Sequence, residues 1–419
     1  MRLSTKDFPL AAAFEAGFLE IDPALLARLG ENRARVERAQ RNPLIGRAVG
    51  GPPWLSADEV RWLLLVCLRD LLAPEARASP ELVTFLVDRL NEGFTPAVPR
   101  TGLGGAGEII PLAHTFQTFL GVGTVLVDGV ETPAAEVLAE PYEPGLEEAA
   151  TLIQGSPLAE TLAAFGRTEV QQVADLQTLT AAIAIDIIGA PQALYRPALA
   201  GDDQVLESVL YEIGGLLDSA SVRPEVVQAP VSVRVAPRVI ARLTRLNGEL
   251  DAALRRSVPT GSPVDLGPRM DAVTAALVHL GEVSVRRTHR LLAVDPGPRA
   301  GLLLLRERAV GELHALRRQA DSGDTFGGQE EAQAFALAAG SRLRDACARM
   351  FAITACELLT GSQTRFLAPG DGSPRLRAAY EWLSGLVPPL KEDRPLGPEV
   401  TALIAVLRDS YFNDLSTLD

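Results

Sequence analysis

Gly102-Leu103-Gly104-Gly105-Ala106-Gly107-Glu108-Ile109-Ile110-Pro111-Leu112-Ala113-His114 is the stretch around which the rest of the chain is read. Four glycines in six positions suit a backbone that turns tightly, takes positive φ or approaches another group closely. Past the loop, Pro111 fits the first turn of a helix, where a missing N–H costs nothing, and Glu108 suits the positive end of that helix's dipole. The pattern is therefore a glycine loop aimed by a helix N-terminus.

This segment resembles the signature of the aromatic amino acid ammonia-lyases, the histidine and phenylalanine ammonia-lyases. In that family a Gly-Ser-Val-Gly-Ala-Ser-Gly-Asp-Leu-Ala-Pro-Leu-Ala-His run folds its Ala-Ser-Gly into a methylidene-imidazolone electrophile. Here Pro111-Leu112-Ala113-His114 stands intact and Gly104 and Gly107 fall in register, but the tripeptide reads Gly105-Ala106-Gly107. Ring dehydration needs a β-hydroxyl on the central residue, and alanine has none. The resemblance implies the family's scaffold without its electrophile, and hence no cofactor.

Three further segments carry the resemblance. Leu146–Pro157 is similar to the family's Lys-Glu-Gly-Leu-Ala-Leu-Leu-Asn-Gly-Thr, which puts Gln154 on the active-site asparagine's position; the alternative is that Gln154-Gly155 simply ends a helix. Val227-Gln228-Ala229-Pro230-Val231-Ser232-Val233-Arg234 is similar to Val-Gln-Asp-Pro-Tyr-Ser-Leu-Arg. The resemblance makes Arg234 the grip on a substrate carboxylate, for which the guanidinium fork is suited; a structural ion pair is the other reading. Gln329-Glu330 matches the start of Asn-Gln-Glu-Asp-His, with Ala332 in place of the histidine. Glu330 then is the remaining acid/base, or else a helix cap. Pro43 and Val231 stand where the family carries tyrosines. Losses at Pro43, Ala106, Val231, Ser262 and Ala332 together look like natural divergence rather than a single inactivating change.

Composition bounds the rest. The chain has 419 residues, 47% hydrophobic, with 40 Lys+Arg against 53 Asp+Glu for a net charge of −13, which disfavours nucleic acid and anionic membranes as partners. Lys6 and Lys391 are the only lysines beside the arginines, a usage typical of high-GC bacteria. Cys67, Cys347 and Cys356 lack paired spacing and read as reduced core thiols. No apolar run approaches the length of a membrane span, and a cytoplasmic protein is the expectation. Neither a phosphate loop nor metal-ligand spacing is present in the sequence.

Ser56-Ala57-Asp58-Glu59 has the spacing of a capping box, and Ser79-Pro80 begins a second helix. Val122–Val127 and Val130–Pro133 predict a hairpin turning at Asp128-Gly129. Val173, Leu176, Thr180, Ile183 and Ile187 form one helix stripe, and Val239 to Leu254 another. Asp271–Leu292 predicts a long helix with Leu277, Leu280 and Ser284 inward, Arg286, Arg287 and Arg290 elsewhere on its circumference, and His289 as a hydrogen-bonded packing residue. Phe326 to Ile353 predicts a helix passing through Phe335. The expected fold is mainly α: an N-terminal helical region (1–100), an elongated central bundle like that of the ammonia-lyases (101–365), a short helical C-terminal segment (366–419) and a minor β-hairpin.

Two functional readings follow. In the first, helix N-termini converge on a cleft lined by Gly104, Gly105, Ala106 and Gly107, where Arg234 binds a carboxylate, Gln154, Gln228 and Gln329 orient the substrate and Glu330 moves protons. Such an enzyme needs an activated small molecule undergoing elimination, conjugate addition or cyclisation, as in bacterial secondary metabolism. In the second, the chain is a catalytically silent homologue that binds a ligand or partner subunit. The resemblance implies a homodimer or homotetramer.

Overall fold

The computed structural model describes residues 1–31, 42–101, 107–217, 228–256, 266–294, 300–318, 335–370 and 372–409. At the N-terminus β1 (Arg2–Leu3) pairs in parallel with β2 (Glu20–Ile21) around the short helix α1 (Leu10–Glu15), a small β-element beyond the one hairpin expected. Next come α2 (Pro23–Glu31) and α3 (Asn42–Ile45). The capping box forms as its spacing predicts: Ser56 Oγ accepts from the Glu59 N–H at 3.2 Å and the Glu59 carboxylate accepts from the Ser56 N–H at 2.8 Å, starting α4 (Ala57–Leu71). Ser79 caps α5 (Pro80–Asn91) in the same way, through the Leu82 N–H. Arg61 ties these elements together by donating to the carbonyls of Phe14, Ala16 and Leu90, which lie at or near the C-terminal ends of α1 and α5. Helix ends leave such carbonyls without intrahelical partners.

The glycine loop leads into α6 (Ile109–Gln117). His114 faces back from this helix: its Nε2 accepts from the Gly50 N–H at 2.9 Å, and burial holds its pKa below the usual imidazole value. A Cβ at Gly50 would meet Pro99 Cγ at 2.7 Å, so the close approach requires glycine. The hairpin follows as β3 (Thr124–Val127) and β4 (Val130–Pro133), antiparallel, with Asp128 and Gly129 at positive φ in the turn. Then come α7 (Ala134–Val137) and α8 (Leu146–Thr151).

The bundle is built on α9 (Pro157–Ile188) and α15 (Ala336–Leu367), each of 32 residues and therefore about 48 Å long. Between them in the sequence lie α10 (Gln204–Leu216), α11 (Val231–Arg234), α12 (Ala236–Leu254), α13 (Leu266–Leu292) and α14 (Ala300–Arg317). After α15 come α16 (Pro374–Leu386) and α17 (Gly397–Asp409). Apolar side chains up to Leu162 gather mainly in one core around α4, α5 and α6, and those beyond it in a second core inside the bundle. Small residues let α9 and α15 approach closely: a Cβ on Gly361 would stand 2.6 Å from Ile183 Cγ2.

Three details correct the sequence reading. Arg287 is not on the periphery but fully buried, donating from Nε to Glu357 Oε1 at 2.6 Å and from Nη2 to Gln177 Oε1 at 2.7 Å. Its polar partners come from α9 and α15, which the pattern of α13 alone cannot reveal. His289 is exposed, not packed. Phe335 is the N-cap of α15, at φ 39°, rather than a residue within that helix. Among the described residues no helix is long and apolar enough to cross a membrane, and all three cysteines are buried and free.

Candidate functional site

The site is built where Glu108, at the head of α6, meets the first turn of α9. Gly107 has a φ of 90°, which favours glycine, and it delivers Glu108 into the interior. Glu108 was read as serving its own helix, α6, but its side chain makes no cap there. It accepts instead from the backbone N–H groups of Leu158 at 2.6 Å and Ala159 at 2.7 Å. Ser156, the N-cap residue of α9, contributes no side-chain hydrogen bond, so Glu108 fills the vacant role. Burial pushes the Glu108 carboxyl up to about 8, against the pull of these two donors and with Glu160 and Asp70 raising it further. Those two donors are consequently turned to Glu108 and not to a ligand.

Beside this cap lies the last turn of α4. Arg69 grips Glu160 of α9 with both terminal nitrogens, Nη2 donating to Oε2 at 2.9 Å, and it donates to Asp70 Oδ1 from Nε at 3.2 Å and Nη2 at 2.9 Å. Burial alone would lower the Arg69 pKa, yet the two carboxylates raise it. For Asp70 burial prevails over Arg69 and lifts the carboxyl to about 7. Burial likewise pushes the Cys67 thiol well up, so it is no ready nucleophile.

A cavity of about 180 Å³ opens against these groups. Its buried walls are Cys67, Leu71, Phe116, Leu152 and Pro157, and Glu75, Arg77, Gln154 and Gly155 stand exposed at its rim, with Asp70 between. A larger hollow of about 560 Å³ lies under the hairpin, lined by Leu55, Phe94, Val125 and Val137 with Glu92 and Asp128. The smaller cavity lies against the buried carboxyls of Glu108 and Glu160 and is the better site on chemical grounds.

Of the residues singled out in the sequence, Gln154 and Gly107 lie here, Gln154 at the rim and Gly107 one residue before Glu108. Gly104, Gly105, Ala106, Gln329 and Glu330 lie outside the described residues. Gln228 is exposed. Arg234 ends α11, and Val233 beside it accepts from the buried Tyr195 hydroxyl at 3.5 Å, past the C-terminal end of α9. Burial raises the Tyr195 pKa, with Arg287 and Arg234 opposing it. Gln154 and Arg234 thus flank opposite ends of α9, on the order of 40 Å apart. One chain does not bring them together. Arg234 Nε is buried without a hydrogen-bond partner, and its guanidinium makes no ion pair among the described residues.

Sequence reasoning missed Asp70, Arg69 and Glu160. Adjacent opposite charges at the end of an apolar helix were the available signal, but their partners lie about ninety positions away.

A family model described as aromatic amino acid lyase matches residues 26–258, more than half of the chain. The histidine ammonia-lyase of Symbiobacterium thermophilum is 27% identical over 430 residues, covering 90% of this chain and 83% of that protein. Among solved structures, the ergothionase of Treponema denticola superposes with a TM-score of 0.87 at 15% identity, covering 99% of this chain and 100% of the other. The tyrosine aminomutase of Streptomyces globisporus gives 0.84 at 19% identity, covering 99% and 98%. At such identities the two structures share the fold.

Proposed function

Since this chain belongs to the aromatic amino acid lyase family, we propose that it is a family enzyme working without the methylidene-imidazolone group, by acid/base and electrostatic catalysis on an activated, carboxylate-bearing small molecule. The observation that carries this reading is Ala106, whose side chain has no hydroxyl to lose. The residues present do not fit the group, and no step is routed through it. A substrate lacking that electrophile must bring its own activation, for instance an unsaturated acid open to conjugate addition, elimination or cyclisation in a biosynthetic tailoring step.

Arg234 is assigned the carboxylate. Its guanidinium, partly buried and without an ion pair among the described residues, supports this, since a charge-assisted hydrogen bond there would contribute about 1.5–3 kcal/mol. Gln154, Gln228 and Gln329 are assigned to orientation and Glu330 to proton movement. Because Arg234 and Gln154 stand at opposite ends of α9, the site closes only when a second copy supplies one end. A homo-oligomer, dimer or tetramer, follows from this reading.

The relative named histidine ammonia-lyase sets the competing outcome. Intact-mass spectrometry and an ammonia assay with histidine and phenylalanine come first: a mass equal to that of the sequence and no ammonia are expected, whereas loss of water or ready ammonia release would sink the reading. Unsaturated carboxylic acids are then offered to wild type, Arg234→Ala and Glu330→Gln. Conversion lost in both variants supports the assignments, conversion unchanged in both places the site elsewhere, and no conversion of any acid favours a silent homologue.

A further inference from the structure

We propose that Asp70 is the proton-exchanging group of the cavity between α4 and α9, and that the cavity takes one ring-sized polar fragment set against its free carboxylate oxygen. This rests on the reading that the Gln154 end of α9 belongs to a site, and it adds to that site a group the family motifs do not contain. Arg69 takes only Oδ1 of Asp70. Oδ2 accepts no hydrogen bond from the described residues and points to Gly155, lying 3.9 Å from where a Cβ would stand. Both Gly155 and Asp70 line the cavity, so Oδ2 is presented to whatever enters, next to the Gln154 amide.

An enclosed cavity of about 150 Å³ holds benzene. At about 180 Å³ this one has room for a single five- or six-membered ring. Its walls are apolar on the buried Phe116 and Leu152 side and polar at the half-buried Asp70, which suits a ring with one N–H or O–H edge. The charged groups facing Asp70 are Arg69 on its own helix, Glu160 on α9, Glu108 at the head of α6, and Glu75 and Arg77 at the rim. Burial among predominantly acidic neighbours keeps the carboxyl protonated into the neutral range, where it can both donate and accept.

The test uses dicyclohexylcarbodiimide, which attacks protonated carboxyls in apolar surroundings, on the full chain, with the site of labelling read by peptide mass spectrometry. Asp70 is expected to label with a midpoint near 7, falling about tenfold for each pH unit above it. Saturating imidazole, a ring with an N–H edge, is expected to protect it several-fold. Glu108, with both oxygens on backbone donors, is expected to stay unlabelled. Labelling of Asp70 only in the ordinary carboxylate range, no labelling at all, or labelling indifferent to imidazole would each overturn the proposal. None of these readouts depends on Arg234, Glu330 or a substrate, so failure here and failure of the proposed function are told apart.

Discussion

Glu108 accepts a hydrogen bond of 2.6 Å from the backbone N–H of Leu158, fifty positions along the chain, and so the residue that closes the glycine loop caps the longest helix of the first half of the molecule. This contact fixes the head of α6 against the first turn of α9. Its partner bond to Ala159 makes the cap bidentate.

Replacing Glu108 tests both the cap and its titration. The carboxyl is raised from 4.5 to about 8 in the folded chain. Between those values the unfolded chain is ionised while the folded one holds its proton, so stability falls as pH rises through that window and levels off above it. Denaturant titrations across the window are expected to show a shallower decline for Glu108→Gln than for wild type. Glu108→Ala is expected to lose about 1–2 kcal/mol at the acid end of the window, the deficit narrowing as pH rises.

The opposite sign belongs to Glu59. Burial alone would raise its pKa, but Arg344 and Arg100 outweigh burial and bring it below the ordinary value. Its contribution is therefore present above the unfolded carboxyl pKa and lost as pH falls through the lowered one. Arg344 also pairs with Glu169 at 2.5 Å and is itself buried. Arg344→Met takes one cation from each buried carboxylate, leaving Glu59 with Arg100 and Glu169 with Arg408, and should cost up to about 3–5 kcal/mol, read from equilibrium denaturation.

Glycines in two helices predict opposite outcomes for the same substitution. Gly361→Ala sets a Cβ 2.6 Å from Ile183 Cγ2, and a β-branched neighbour in a helix has little freedom to move aside. The overpacking, about 1–3 kcal/mol, exceeds the gain of about 1 kcal/mol in helix propensity. Gly248→Ala in α12 meets nothing within 4 Å and should gain up to about 1 kcal/mol. Paired melting curves of the two variants check this.

If one site takes Gln154 from one copy and Arg234 from another, inactive variants must complement. Chains carrying Gln154→Ala and chains carrying Arg234→Ala, coexpressed so that they mix at random, are expected to recover up to about one quarter of the wild-type sites. Activity that stays at the level of the separate variants would place both residues in sites within one chain.

What was legible in the sequence was local. The Ser56–Glu59 box, the Ser79 cap and the Asp128-Gly129 turn each depend on residues a few positions apart, and each forms in the structure. The motif Pro111–His114 was legible as a marker of family, though not as a brace: only the fold shows His114 holding Gly50. Arg287 was misjudged because a helix stripe ranks residues by hydrophobicity, and a guanidinium met by Glu357 and Gln177 can be buried where an unpaired one could not.

The sequence by itself determined the helical character of the chain and the missing hydroxyl at Ala106, since backbone periodicity and covalent composition need no third dimension. Tertiary structure alone decided that Glu108 caps α9 and not α6, that Asp70 faces a cavity, and that Gln154 and Arg234 stand at opposite ends of a helix. The reason is physical: hydrogen bonding, desolvation and reach depend on distances between residues far apart in the chain, and those distances exist only once the helices have packed.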